Sequence, residues 1–331
     1  MTWFEELTGF LEKNPDQVRR NFSLDGSMLV SKVNGWELVW GRLETPTLAE
    51  LRERVPSVKG GARKITVREV VADTQILHAD PANAGSLFQV ASQFNLLEMV
   101  SPNVTPEQGV GIYENDFTQG PACAIAAGAG TIYRNYFAPV KGRVGQTAGN
   151  QIDCLADMGK ALGNTDNRLW RMCNGYALPA RDGLVEISNR LRSLREDELD
   201  GLRRLLRIGI QWDTQVTLGS SSHLVSQAYC SALPVAYSAF SVGLWQHFAR
   251  LVLEASYEAT ICAAILNREN TGNNNVYLTL IGGGAFGNEA DWIMDSIKRV
   301  LTLYADYNIN VVMVSYGSSK PHVRQLVSEF S

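Results

Sequence analysis

The sequence predicts a three-layer α/β/α fold on a mixed sheet, with an N-terminal hairpin extension and a helical insertion. Three observations carry that expectation. Strand-type apolar runs alternate with helix-period segments in the C-terminal third, as helices covering both faces of a sheet require. A glycine-rich loop there joins a buried strand to a helix. And 331 residues, 45% hydrophobic and 19% charged, suit a soluble globular protein with a sizeable core.

Residues 3–20 read as one amphipathic helix. Strands at 27–33 and 36–42 flank Asn34-Gly35, a pair that favours the positive φ angles of a two-residue hairpin turn. Thr47-Leu48-Ala49-Glu50 has the capping-box pattern and opens a helix over 48–55. A strand at 65–71 leads to a polar loop at 78–85 and a mostly apolar strand at 86–92. Pro121 suits the first turn of a helix over 121–137. The stretch 141–205 is polar and irregular, and the charge-dense 190–207 reads as a solvated helix face. A strand at 223–229, a long helix at 245–266, a buried strand at 276–281, a helix at 289–304 and a strand at 309–314 complete the order. Residues 1–60 are expected to pack as an added element on a main domain at 61–331, with 181–222 as the insertion.

Charge and composition exclude several classes. Net charge is −4, from Lys+Arg 30 against Asp+Glu 34, so no general nucleic-acid-binding surplus exists. The first residues, Met1-Thr2-Trp3-Phe4-Glu5-Glu6, carry early acids and do not read as a secretory leader. No apolar run reaches the roughly 20 residues of a membrane helix. Cys123, Cys154, Cys173, Cys230 and Cys262 are odd in number, widely spaced and without a CxxC pair. They read as buried thiols in a reducing compartment, and a cytoplasmic location is expected. His78, His223, His247 and His322 show no metal-ligand spacing, so neither metal nor cofactor is expected.

The chemistry concentrates on Gly282-Gly283-Gly284-Ala285-Phe286-Gly287-Asn288. Glycines at the carboxyl end of a strand leave N–H groups unobstructed, and the next helix adds its positive end, so phosphate oxygens are the natural occupant. The plainer reading is a tight turn that binds nothing. No Gly-Lys-Ser/Thr follows, which excludes a Walker loop. The late position, with one strand after it, does not fit the dinucleotide fingerprint.

The run 280–292 with its helix and last strand resembles the second phosphate loop of macrodomains, nearest to the poly(ADP-ribose) glycohydrolase-like branch. Three further echoes follow in order. Phe88-Gln89-Val90-Ala91-Ser92-Gln93-Phe94-Asn95 resembles the strand that opens the first ligand loop. Asp80 lies upstream at nearly the spacing of the family's adenine-recognising aspartate. Asn174-Gly175-Tyr176-Ala177-Leu178-Pro179 is similar to a Gly-Tyr-x-Leu-Pro that precedes a central strand. The resemblance covers about 72–180 and 223–317, and only the C-terminal loop is specific. The family's triple glycine and Gln-Glu-Glu are absent from the first loop, which here reads Gly111-Ile112-Tyr113-Glu114-Asn115-Asp116-Phe117-Thr118-Gln119-Gly120-Pro121. That departure puts the family's acid mechanism in doubt.

What the resemblance implies is recognition of ADP-ribose or an ADP-ribosyl group, with hydrolysis of an ADP-ribosyl linkage. Such cleavage needs a proton for the leaving group and a directed water, both within reach of one carboxylate. Glu114 is the first candidate and Asp116 the second; both also read as solvated loop acids. Thr118, Gln119 and Gly120, with Asn115 beside them, are candidate phosphate-side contacts at a helix start. Asn95 and Gln93 are candidates for the ribose, or ordinary turn residues. Asp80 is a candidate adenine contact or a turn initiator. The alternatives are a non-catalytic reader of ADP-ribose or another nucleotide, and a structural protein. The partner expected is ADP-ribose or an ADP-ribosylated substrate, without membrane or general nucleic acid.

Overall fold

The computed structural model describes residues 1–58 and 64–330. The boundary expected at 60/61 lies outside the described residues. Seven strands form the main sheet: β1 (Arg42–Glu44), β2 (Thr66–Val71), β3 (Leu87–Ala91), β4 (Gly209–Gln215), β5 (Leu224–Cys230), β6 (Asn275–Leu278) and β7 (Asn310–Ser315). Their spatial order is β1-β4-β5-β3-β6-β7-β2. The run β5-β3-β6-β7-β2 is parallel throughout, while β4 is antiparallel to both neighbours. The sheet is therefore mixed, as expected.

Alternation along the strands sends side chains to two helical layers. On one face Gln89 donates to Thr260 of the long helix Val242–Thr271, and Cys230 approaches the same hydroxyl. That helix is buried along most of its length because the helices Leu48–Arg54, Arg181–Ser193 and Ala290–Leu303 pack around it. On the other face Phe88 stacks between His78 and Tyr277, with ring centroids 3.8 and 4.4 Å apart. The helices Thr74–Ala79, Gln119–Ala126 and Gly128–Tyr136 cover that side.

Four elements differ from expectation. The turn expected at Asn34-Gly35 is a longer loop over 32–35, since the Ser31 N–H donates to Trp36 O and of that pair only Gly35 takes a positive φ. The helix expected at 3–20 is two, Trp3–Thr8 and Pro15–Asn21, because Gly9 closes the first at φ 79° and the Asn14 side chain with Pro15 opens the second. The helix expected at 121–137 breaks at Ala127, where the Gly128 N–H leaves the helical ladder for the Thr217 hydroxyl. The expected insertion is not wholly outside the sheet: it carries the helices Arg181–Ser193 and Glu196–Arg203, but 209–215 is β4, the strand next to the edge strand β1. A bulge at Asp213, φ 53°, shifts the register between Gln211 and Thr214 and spoils the alternation that would have revealed the strand. No helix among the described residues is long and apolar enough to cross a membrane.

One ionic cluster ties the helical layer together. Glu258, on the long helix and 2% exposed, accepts from Arg52 and Arg299 at 2.6 Å each, and Arg52 also forks onto Asp200. Burial pushes the Glu258 carboxyl up, but these two guanidinium bonds outweigh it and hold it below the usual range. Its stabilising effect is present above the unfolded carboxylate range and lost as pH falls through the lowered value. Glu258→Gln should cost about 1–3 kcal/mol at neutral pH, since it removes the charge that both guanidinium groups bond while Arg52 keeps its fork onto Asp200. Denaturant unfolding across pH should show that deficit narrowing in acid.

Candidate active site

The carboxyl ends of β3, β5 and β6 open on one edge, where a parallel sheet offers its crevice. A cavity of about 450 Å³ lies there. One wall is the glycine loop. Gly282 turns it at φ 73°, where an added Cβ would stand 2.4 Å from that of Ala232. Gly282, Gly284, Ala285 and Phe286 line the cavity. The N–H groups of Gly284, Ala285 and Phe286 donate to nothing in the described chain and are free for an anion.

Gly283, Gly287 and Asn288 do not line the cavity. The Gly283 N–H closes a turn onto Leu280, and that of Gly287 onto Gly284. Asn288 is a staple: its amide donates to Leu233 and Gly282 carbonyls, and its own N–H closes back on Gly282. Phe286 packs against Tyr176 and Tyr237 at 5.3 and 5.6 Å, giving the cavity an aromatic side.

The opposite wall begins with a cross-braced turn over 93–99. The Gln93 N–H donates to Leu97 O, the Leu97 N–H to Asn95 Oδ1, and the Met99 N–H to Gln93 Oε1. Arg134, 1% exposed and 3.6 Å over the Tyr229 ring, donates to Leu96 O. Leu96 sits at φ 65°, a conformation costing a non-glycine residue roughly 1–3 kcal/mol. Gly209 clears the space for its side chain, since a Cβ there would come 2.4 Å from Leu96.

This turn presents Glu98, which the sequence reading overlooked. Glu98 is 3% exposed, lines the cavity, and its Oε1 has no hydrogen-bond partner. Burial pushes its carboxyl well above the usual range; the Arg134 guanidinium opposes this and Asp116 adds to it. Gly120 opens the helix Gln119–Ala126 directly against it. A Cβ on Gly120 would stand 2.0 Å from Ala91 O and 2.3 Å from Glu98 Oε2, so only glycine fits. One sequence signal was available: a lone acid inside the apolar run Leu96-Leu97-Glu98-Met99-Val100.

The other expected residues divide. Asp116 and Thr118 line the cavity, and Asp116 accepts from the Thr118 N–H at 2.9 Å. Gln93, Gln119 and Gly120 line it too. Gln119, however, turns its amide inward: its oxygen takes the Ala91 N–H and its nitrogen donates to Gln89 O. Glu114 does not line the cavity; its carboxylate receives the Trp3 N–H at 3.1 Å and ties down the N-terminal helix. Asn115 is exposed and bonds back to Ile112 O. Asn95 is fully buried, its amide committed to Gln151 and the Leu97 N–H. Asp80 belongs elsewhere, because it precedes the amino end of β3 and caps the short turn at 81–83 through the Ala82 N–H. Among the described residues, no three His, Cys, Asp or Glu side chains group as metal ligands would.

No protein-family model matches the chain, and no curated protein matches it. Among solved structures it is similar to poly(ADP-ribose) glycohydrolase from Deinococcus radiodurans in complex with ADP-ribose, at 13% identity and a TM-score of 0.46, over 87% of this chain and 94% of that one. It is also similar to the glycohydrolase from Thermomonospora curvata, at 11% identity and a TM-score of 0.47, over 96% of both chains. The same enzyme bound to the inhibitor ADP-HPD gives 11% and 0.47 over 94% of both.

Proposed function

We propose that the cavity binds ADP-ribose or an ADP-ribosyl group and hydrolyses the ADP-ribosyl linkage, with Glu98 as the acid. One observation supports this above the others: free backbone N–H groups at Gly284, Ala285 and Phe286 share a cavity with a buried carboxyl that has an unpartnered oxygen. The first suit a diphosphate, and the second suits proton delivery near a sugar. The aromatic side formed by Phe286, Tyr237 and Tyr176 would lie against the intervening ribose.

In this reading Glu98 gives its proton to the leaving oxygen as the bond to the anomeric carbon breaks. Water then adds to that carbon and returns a proton to the Glu98 carboxylate, so the acid is regenerated. Asp116, beside it in the lining, is the second acid and would orient the water. Glu114, the earlier first candidate, keeps a tethering role. All five cysteines are free and four are buried, which suits the reducing cytoplasm we assign.

Calorimetry with ADP-ribose, AMP and NAD tests the ligand: heat is expected with ADP-ribose, and silence at millimolar ligand would remove the assignment. Gly284 has open space where a Cβ would go, so Gly284→Val should leave Tm unchanged yet weaken ADP-ribose at least about tenfold by covering the free N–H groups.

Glu98→Gln should abolish turnover of an ADP-ribosylated protein while binding persists. Substrate that wild type binds but leaves uncleaved would instead mark a reader. The same variant should gain stability. A carboxyl raised on folding costs stability as pH climbs from 4.5 toward its folded value, because only the unfolded chain ionises freely. Glu98→Gln should therefore raise Tm by about 2–4 °C near pH 8, with the gap closing toward pH 4.5.

A further inference from the structure

We propose that Glu12, in the N-terminal element, is a positioning residue for the reaction, holding the segment 109–116 that sets Glu98 and Asp116 at the cavity. The inference rests on the cavity being the reaction site, and goes beyond it by extending the active site to a part of the chain remote from it.

The connection is continuous. Glu12 Oε1 accepts the Val110 N–H at 3.0 Å and the Tyr136 hydroxyl at 2.6 Å, while Oε2 accepts the Gly111 N–H at 2.7 Å. Glycines flank Val110 because the carboxylate lies on the backbone itself. A Cβ on Gly109 would come 2.4 Å from Glu12 Oε2, and one on Gly111 2.9 Å. Trp3 adds two bonds, from its indole to Val110 O and from its N–H to Glu114. The turn of 3-10 helix Gly111–Asn115 is thus gripped on both flanks by residues 3 and 12.

From that turn, both acids are reached. Tyr113, 1% exposed, accepts the Glu98 N–H on its hydroxyl at 3.0 Å. The Asp116 N–H bonds to Tyr113 O at 3.1 Å, at the end of the same turn. Glu12 touches neither the cavity nor its contents, yet it is the hub from which the backbone carrying Tyr113 and Asp116 is hung. A half-buried carboxylate that collects two backbone N–H groups and a hydroxyl is a rigid anchor, and small displacements of catalytic groups are expensive in rate.

The test is kcat and KM on an ADP-ribosylated protein for Glu12→Gln, Tyr113→Phe and the double variant, with calorimetric ADP-ribose affinity for each. Each single variant is expected to lower kcat at least about tenfold while KM and ADP-ribose affinity stay within about twofold. The double variant should fall no further than the worse single, as members of one chain of contacts do. A Glu12→Gln enzyme with wild-type kcat overturns the inference, and so does a double variant whose losses multiply. Should Glu12→Gln fail to fold, Tyr113→Phe decides alone: unchanged kcat cuts the path from Glu12 to Glu98. If wild type neither binds ADP-ribose nor turns over, the function itself falls, and the inference with it; if wild type turns over and both variants match it, only the inference falls.

Discussion

A carboxyl group is costly to bury, and costlier when one of its oxygens has nothing to bond to. Glu98 is held in that condition by its surroundings. The turn over 93–99 consumes its own backbone polar groups in cross-bracing, so Glu98 cannot relax into a local hydrogen bond without breaking others. Arg134 lies nearby, but it spends its donors on Leu96, Gln211 and Thr131 and its face on Tyr229. Gly120 brings a helix start against the carboxylate without a side chain to shield it. The left-handed Leu96, the glycines at 120 and 209 and the committed amides of Gln93 and Asn95 all serve the same placement.

The two walls of the cavity are built on different principles. The glycine loop offers backbone N–H groups and little else, and its stability comes from Asn288 behind it and aromatic rings beside it. The acid wall offers side chains and depends on distant parts of the chain. The donors are thus divided: one wall offers backbone groups, the other side chains.

Legibility in the sequence followed that division. A glycine-rich strand-to-helix turn is a local pattern, and the turn over 282–288 could be read because glycine spacing after a strand has a direct conformational meaning. The strands β3, β6 and β7 were equally plain, since their runs are short and mostly apolar. The acid wall was not. Glu114 and Asp116 looked equivalent in the loop, and only the fold sends one to Trp3 and the other to the cavity. Asn95 and Gln119 have the chemistry of ligand contacts, but the turn and strand they brace claim them first. Glu98 was hidden by an apolar neighbourhood that marks core, and its distinctive state is a matter of tertiary packing. β4 escaped because a bulge at Asp213 breaks its period.

The N-terminal residues through β1 carry a further consequence for folding. β1 covers β4, whose only other partner is β5. Without the N-terminal stretch, β4 would become a bare edge with unpaired backbone groups, beside an uncovered apolar surface of Leu97, Met99, Tyr113 and Ile132. Such an edge is a template for pairing with other chains. The N-terminal element therefore also guards against self-association, and a chain shortened from that end would be expected to aggregate more readily than to fold.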